Sequence, residues 1–290
     1  MNGKAKLRLF GFIAVAGIWA AVFTAGRSKG VLPPTGSPVA PAVPAVQPGT
    51  DIISTFTLVG HTDTGRKKWE VQGETADLMA QTVQLSPVAA TSFGQTDVHL
   101  TAKQGQFDRA SENVHLQGDV VVTTTDGARL TADSLDWNQA AETGTTPDRV
   151  VVTRQGMTVT GTGGVGHPKL KQVRIQKDVT VTIEDPAKGK TVITCDGPMD
   201  VDYGVNRARF WKNVVVRDAK GLIQSDRMDV GLDPKTNRVE KATFWGHVEI
   251  HQEGKTATAN RANYWQSAGR IQLIGHPKLV MIPQDGKVLE

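Results

Sequence analysis

Cysteine and the sequence motifs of enzymes are nearly missing from this chain. The single Cys195 cannot form a disulfide within the chain, and it excludes metal sites built on paired cysteines. No Walker A loop, H-E-x-x-H helix or G-x-S-x-G elbow occurs in the sequence. We therefore predict a protein that is not an enzyme and that holds no cofactor and no metal ion.

A strong charge of one sign and helical periodicity are also missing. The chain carries 33 basic and 29 acidic residues, a net charge of +4, and much of the excess lies beside the N-terminal apolar segment. This mild balance predicts no nucleic-acid partner. After residue 50 no stretch has the length and the 3.6-residue period of an amphipathic helix. Because Val and Thr are abundant there, the composition predicts an all-β fold.

One long apolar run stands near the N-terminus. Residues 9–26 carry no charge and would span about 27 Å as a helix, close to the thickness of a bilayer core. Basic residues in positions 1–8 favour a cytoplasmic tail, a transmembrane anchor over 9–26 and the bulk of the chain outside the cytoplasm. A signal peptide cleaved near Thr24-Ala25-Gly26 is the alternative. Residues 27–50 contain six prolines and predict an extended linker.

From residue 51 onward, short alternating runs are punctuated by turn residues, and three segments resemble one another. Residues 118–137, 212–230 and 246–265 each contain a Val-containing strand, a polar turn with Gly and a second strand. In each second strand a small residue precedes Asp or Asn, a step that favours a β-bulge over an active site. The three steps are Ala132-Asp133, Ser225-Asp226 and Ala259-Asn260.

If each step reverses the alternation, one face of each repeat becomes apolar. An ordinary sandwich core and a ligand groove both fit these residues, and the repeat implies stacked hairpins that bury one shared face. The predicted faces consist of Val120, Val122, Leu130, Leu135 and Trp137 in the first repeat, and of Val214, Val216, Ile223, Met228 and Val230 in the second.

Several short motifs have a structural interpretation. The pentapeptide GHPKL occurs twice, and its Pro168 and Pro277 predict edge or turn positions because proline cannot donate to a ladder. The glycine-rich run 161–166 precedes a proline rather than a helix, so we expect a turn and not a phosphate cradle. His247 and His251 could share one strand face, but no third metal ligand is evident beside them.

Taken together, the repeats resemble the OstA-like domains of the lipopolysaccharide transport proteins LptC and LptA. The LptC resemblance comprises FTLVGHTDTGRKKWEVQGETADL (56–78), the A-x-x-G-x-F-D element at 102–108, the strand start at 118–120 and LTADSLDW (130–137). The LptA resemblance comprises QSDRMDVGLDPKTNRVEKATFWGHVEI (224–250) and the closing GRIQLIGHPKLVM (269–281). The resemblance implies an LptC-like β-jellyroll over 51–186, followed by LptA/OstA-like β repeats over 187–290 that continue the sheet.

This resemblance also implies a function. It implies an elongated, open antiparallel β-jellyroll, anchored as a single-pass protein in the inner membrane with its bulk in the periplasm. The expected partners are lipopolysaccharide, the inner-membrane Lpt ABC transporter and an LptA-like bridge protein that pairs with an edge strand. The expected groove residues, which would bind the acyl chains, are Leu116, Val120, Val122, Leu135, Trp137, Val179, Val181, Ile223, Met228 and Val248.

Two other classes of protein fit parts of the pattern. A structural β-repeat scaffold or an adhesion protein of the cell envelope would use the same stacked hairpins without a lipid. A carbohydrate-active β-solenoid enzyme would require carboxylates clustered on one surface. A lipid-like molecule that copurifies with the protein would distinguish lipid transfer from the role of a structural scaffold.

Overall fold

The computed structural model describes residues 52–61, 65–77, 82–93, 97–125, 127–154, 156–167, 170–185, 189–233 and 239–281. The expected tail, anchor and linker over 1–50 lie outside these residues. Within the described ranges, no helix has the length and apolar character needed to cross a membrane.

The described residues form nineteen strands in one antiparallel sheet, which agrees with the all-β prediction and with a jellyroll-like fold. The first eleven are β1 (Ile52–His61), β2 (Lys67–Asp77), β3 (Thr82–Ser86), β4 (Val88–Ser92), β5 (Val98–Ala102), β6 (Gln104–Asp108), β7 (Val114–Thr124), β8 (Arg129–Asn138), β9 (Thr143–Arg154), β10 (Met157–His167) and β11 (Gln172–Asp185). The remaining eight are β12 (Gly189–Cys195), β13 (Met199–Asp202), β14 (Arg207–Asp218), β15 (Gly221–Leu232), β16 (Val239–Gln252), β17 (Lys255–Trp265), β18 (Arg270–Ile274) and β19 (Lys278–Met281).

The topology is a meander in which each long strand pairs with the strands before and after it in the chain. Four positions of the meander are occupied by two short strands in succession, namely β3 with β4, β5 with β6, β12 with β13, and β18 with β19. Each pair is interrupted where the neighbouring long strands bend. The interruptions therefore divide the sheet into a first arm, which contains β4, β5, β12 and β19, and a second arm, which contains β3, β6, β13 and β18.

Bulges at this bend produce the reversal of alternation that the sequence predicts. On β7, Gly118 and Asp119 have positive φ angles and together face the single residue Asp133 of β8. The other two repeats have the same two-to-one pairing, Lys212-Asn213 against Asp226 and Gly246-His247 against Asn260. In each repeat the Asp or Asn that follows the small residue therefore lies opposite the bulge, and the extra residue belongs to the preceding strand. Burial changes parity across each step, as predicted.

One face of both arms is buried and apolar. Its side chains form a single hydrophobic cluster that runs from Val88 on β4 to Ala262 on β17. The described residues contain no helix, so among them the surface that can cover this face is the other arm of the same sheet. At the bend the arms are in close contact, since a Cβ placed on Gly105 would lie 2.8 Å from Cγ2 of Val88.

The glycine-rich run 161–166 is not a turn, so that prediction was wrong. All six residues lie within β10, where glycine permits close packing. A Cβ on Gly161 would lie 2.4 Å from Cγ2 of Ile175 on the neighbouring strand, and Gly163 has a φ of 72° at the bend. Of the two GHPKL prolines, Pro277 lies between the short edge strands β18 and β19, as expected, and Pro168 is outside the described residues.

We predict that Gly161→Ala destabilises the fold by about 1–3 kcal/mol, because the added methyl group must displace Ile175 in a packed interior. Gly231→Ala on β15 is the matched control, since the nearest atom to its added Cβ is 3.9 Å away. The free energy of unfolding, measured by urea titration with tryptophan fluorescence, should stay within about 0.5 kcal/mol of the parent for this control. Equal losses in both variants would contradict the close packing of β10 on β11.

Candidate functional site: the apolar interior

The structure brings the predicted groove residues to one inward face. Nine of the ten are buried, with exposed fractions between 0% and 5%, and Ile223 is half-buried against the same cluster. They are distributed over both arms. The first arm carries Val120, Val122, Val179, Val181, Ile223 and Val248, and the second arm carries Leu116, Leu135, Trp137 and Met228.

Pairing across the sheet explains why these side chains meet. Leu116 on β7 lies directly opposite Leu135 on β8, and Val122 on β7 lies opposite Leu130. Directly opposed residues of an antiparallel pair point to the same face, so each pair adds two apolar side chains to the interior. At one end of β8 the indole N–H of Trp137 donates to Oε1 of Gln139 at 2.8 Å, which satisfies the one polar atom of this buried ring.

The sequence reasoning missed a large part of this face. Phe210 on β14 is fully buried, and it was not among the predicted residues. These unpredicted residues carry a signal in the sequence, because apolar residues recur at every second position of the short runs that contain them. The missed residues include Val150 and Val152, Met157 and Val159, Val173 and Ile175, Ile193 and Cys195, and Met199 and Val201.

The interior is continuous through the middle of the chain. β12 pairs along its length with the C-terminal half of β11, with Val181 opposite Ile193 and Val179 opposite Cys195. All four side chains are buried in the one cluster that runs from Val88 on β4 to Ala262 on β17. No gap in the sheet or in its apolar face therefore separates the segment before residue 185 from the segment after residue 189.

Cys195 is a free thiol in this interior. Burial raises its pKa to about 11, an effect that hydrogen bonds from the backbone N–H groups of Trp211 and Gly197 oppose only in part. A thiol with this pKa is almost entirely protonated at neutral pH, so it is a poor nucleophile and metal ligand.

Polar side chains outside the apolar interior have partners of their own, and His247, which the sequence analysis considered as a metal ligand, is among them. Asp200 accepts hydrogen bonds from Nε of Arg174 at 2.6 Å and from the indole N–H of Trp211 at 3.0 Å. Asp202 accepts from the backbone N–H groups of the following turn. Nδ1 of His247 lies 2.8 Å from Oδ2 of Asp226, and no group of three or more His, Cys, Asp or Glu among the described residues is arranged to hold a metal ion.

The C-terminal end of the sheet exposes apolar side chains. Within the described part of the chain β19 pairs only with β17, so its other edge carries no neighbouring strand. Leu279, Val280 and Met281 are 60%, 47% and 63% exposed. Leu279 lies opposite the buried Ala257, so the inward face continues to this edge and is uncovered there.

Comparison with known protein families gives a separate match for each of the two parts of this sheet. Residues 52–184 match the family model described as lipopolysaccharide-assembly, LptC-related. Residues 193–290 match the family model described as LptA/(LptD N-terminal domain) LPS transport protein. No match was found among the curated proteins. The chain is an LptC-like protein with an LptA-like C-terminal extension, and both matches support involvement in lipopolysaccharide transport across the periplasm.

We predict that Cys195 reacts slowly with thiol reagents in the folded protein. Raising the pKa from 9.0 to about 11 lowers the thiolate fraction at pH 8 about a hundredfold, and burial adds a steric barrier. When Cys195 reacts with an aromatic disulfide reagent, the absorbance of the released aromatic thiolate should rise slowly in buffer and rapidly in urea. A native rate that equals the rate in urea would show that the thiol is accessible in solution.

Proposed function: intramolecular relay of a lipid

We propose that this protein binds the acyl chains of lipopolysaccharide along its inward face and relays the lipid from the inner-membrane ABC transporter toward the outer membrane. The observation that supports the proposal most strongly is the single apolar cluster, which passes without interruption through both matched segments. Relay of this kind requires no covalent step by the chain itself.

The energetics favour reversible binding. The inward side chains of the two arms already exclude water, so an acyl chain that enters between the arms exchanges one set of apolar contacts for another. Each buried CH₂ group of a lipid gains about 0.8 kcal/mol relative to water, while separating the arms removes contacts of similar kind. The net affinity is a difference between these terms, which suits a protein that must release its lipid.

We further propose that the first transfer step occurs within one chain. In the proposed path a lipid held near Val122 and Trp137 moves past Val181 and Ile193 to Met228 without leaving the sheet. The direct pairing of β11 with β12 supports this path, because it joins the LptC-like and LptA-like segments through backbone hydrogen bonds.

The two ends of the sheet suit two different partners. At the N-terminal end we propose contact with the transporter, since the expected membrane anchor over 9–26 precedes β1. At the C-terminal end, the edge of β19 that has no partner strand among the described residues can accept a strand of an LptA-like bridge protein, because an exposed edge offers unpaired N–H and C=O groups. The uncovered Leu279 and Met281 would then become part of a longer apolar face.

We predict that a photoreactive amino acid at Val122 or Met228 crosslinks to lipopolysaccharide in cells, because both side chains face the interior. Thr123, the next residue on β7, and the exposed Glu240 on β16 are the controls, since neither belongs to the apolar cluster. Labelled lipid is detected by immunoblot after ultraviolet irradiation. Equal labelling of inward and outward positions, or none at any of them, would favour the alternative of a structural scaffold.

We predict that the double variant Leu279→Asp with Met281→Asp weakens binding to an LptA-like protein about tenfold or more, because two buried charges would oppose strand addition. Leu170→Asp is the control, as Leu170 is 61% exposed in the turn before β11 and far along the sheet from β19. Binding is measured by titration with the purified partner. An equal effect of the control would exclude the β19 edge as the docking site.

A further inference from the structure

We propose that the outer face of the LptA-like segment carries a binding site for a linear, hydroxyl-rich glycan. A groove with a volume of about 700 Å³ crosses strands β14 to β17 at the bend of the sheet. This volume lies within the range of about 300–1,000 Å³ that small-molecule sites occupy.

Two rows of side chains form the walls of the groove. One wall is an outward row on the first arm, in which Val215, Gln224, Glu249 and Thr258 are directly paired from strand to strand. The other wall is the bend itself, with Asn213, Asp226, His247, Asn260 and His276. Buried residues between the rows, such as Val214 and Val248, form the floor. The floor separates this groove from the interior, where the proposed lipid path lies.

The chemistry of the walls favours a glycan over other ligands. Carboxylate, amide and imidazole groups present hydrogen-bond donors and acceptors in fixed planes, as hydroxyl groups require. The lining contains Asp226 and Glu249 and no Lys or Arg, so it favours an uncharged ligand over a phosphate or another anion. The lining residues are mostly polar and include no large apolar side chain, whether aliphatic or aromatic, so they do not form the apolar pocket that would bind an anchoring side chain of a peptide.

An exposed aromatic side chain that is not among the lining residues precedes the bulge on β16 and offers a stacking surface. Trp245 directly precedes the bulge residues Gly246 and His247 and is 38% exposed. The guanidinium of Arg261 lies 4.8 Å from the centroid of its ring, which holds the indole in place. A fixed, partly exposed indole can stack on the C–H face of a sugar ring while the groove binds the hydroxyl groups.

Strand spacing and twist set the length of the ligand. Four adjacent strands span about 14 Å at about 4.8 Å per gap, and each strand is rotated by roughly 20–25° relative to the last. A stiff polymer cannot follow this rotation over many strands, so the groove fits a short stretch of a glycan chain. Such a stretch could belong to the sugar head group of a lipid or to a separate polymer of N-acetylated sugars.

The test uses the full chain in detergent with two uncharged probes, a neutral hexose oligosaccharide from the outer part of the lipopolysaccharide head group and a tetramer of N-acetylglucosamine. We expect one probe to bind in the millimolar range or tighter, with a change in tryptophan fluorescence and heat released on titration. Binding of the oligosaccharide alone would identify the lipid head group as the source, and binding of the tetramer alone would identify a separate polymer.

Glu249→Ala should weaken binding about tenfold, and the matched variant Glu240→Ala, an exposed glutamate at the other end of β16, should change it less than about twofold. Absence of binding by both probes at millimolar concentration, or equal weakening by both variants, would overturn the proposal. Because Glu249 faces away from the interior, acyl-chain crosslinking at Met228 in the Glu249→Ala variant tests the lipid relay separately.

Discussion

The requirement to cover one apolar face of a single antiparallel sheet governs the whole structure. A sheet of this length has no helix to pack against among the described residues, so its two arms must cover each other. The arms can cover each other only if neighbouring strands bend at the same position along the sheet. Bulges with positive φ at Gly118-Asp119, Lys212-Asn213 and Gly246-His247, together with interruptions of the short strands, provide that bend. The interior and the outer groove both follow from its position.

The same bend has an electrostatic pattern on its outer side. Nζ of Lys103 lies 2.6 Å from Oδ2 of Asp119, and Nδ2 of Asn213 donates to Oδ2 of Asp196 at 2.5 Å. His247 approaches Asp226 in the equivalent place of the last repeat. These groups are exposed, so each contact contributes little to stability. In each of these three places, the contact gives a hydrogen-bond partner to the second of the two bulge residues.

Much of the fold could be predicted from the sequence because the repeats carry local signals. Alternation of Val120 and Val122, and its reversal after Ala132-Asp133, depends only on the period of a strand and on a bulge. The interpretation failed where a residue serves a neighbour that is distant in sequence. In the sequence Gly161 resembles a turn residue. In the structure it leaves room for the side chain of Ile175, which lies fourteen positions later in the chain. The position of the extra bulge residue likewise depends on pairing between strands.

The site shows the same division between local and non-local information. The inward direction of Leu135 and Met228 follows from their own strands, whereas the burial of Phe210 and Met199 depends on a second strand that the sequence does not identify locally. The exposed edge at Leu279 and Met281 is a property of the finished sheet, since only the order of strands determines which of the described strands lacks a neighbour. Signals within one strand could be found in advance, and properties of the assembled sheet could not.

In the proposed relay, the joining of two segments in one sheet changes the physical problem of lipid transfer. When a donor and an acceptor are separate proteins, each transfer waits for an encounter whose rate depends on concentration. When β11 and β12 are hydrogen-bonded neighbours of one chain, the acceptor is always in place, and the effective concentration is set by geometry alone. The remaining requirement is that affinity for the lipid not decrease abruptly between the segments. A face in which Val179, Val181, Ile193 and Cys195 are similarly buried and apolar meets that requirement at the junction.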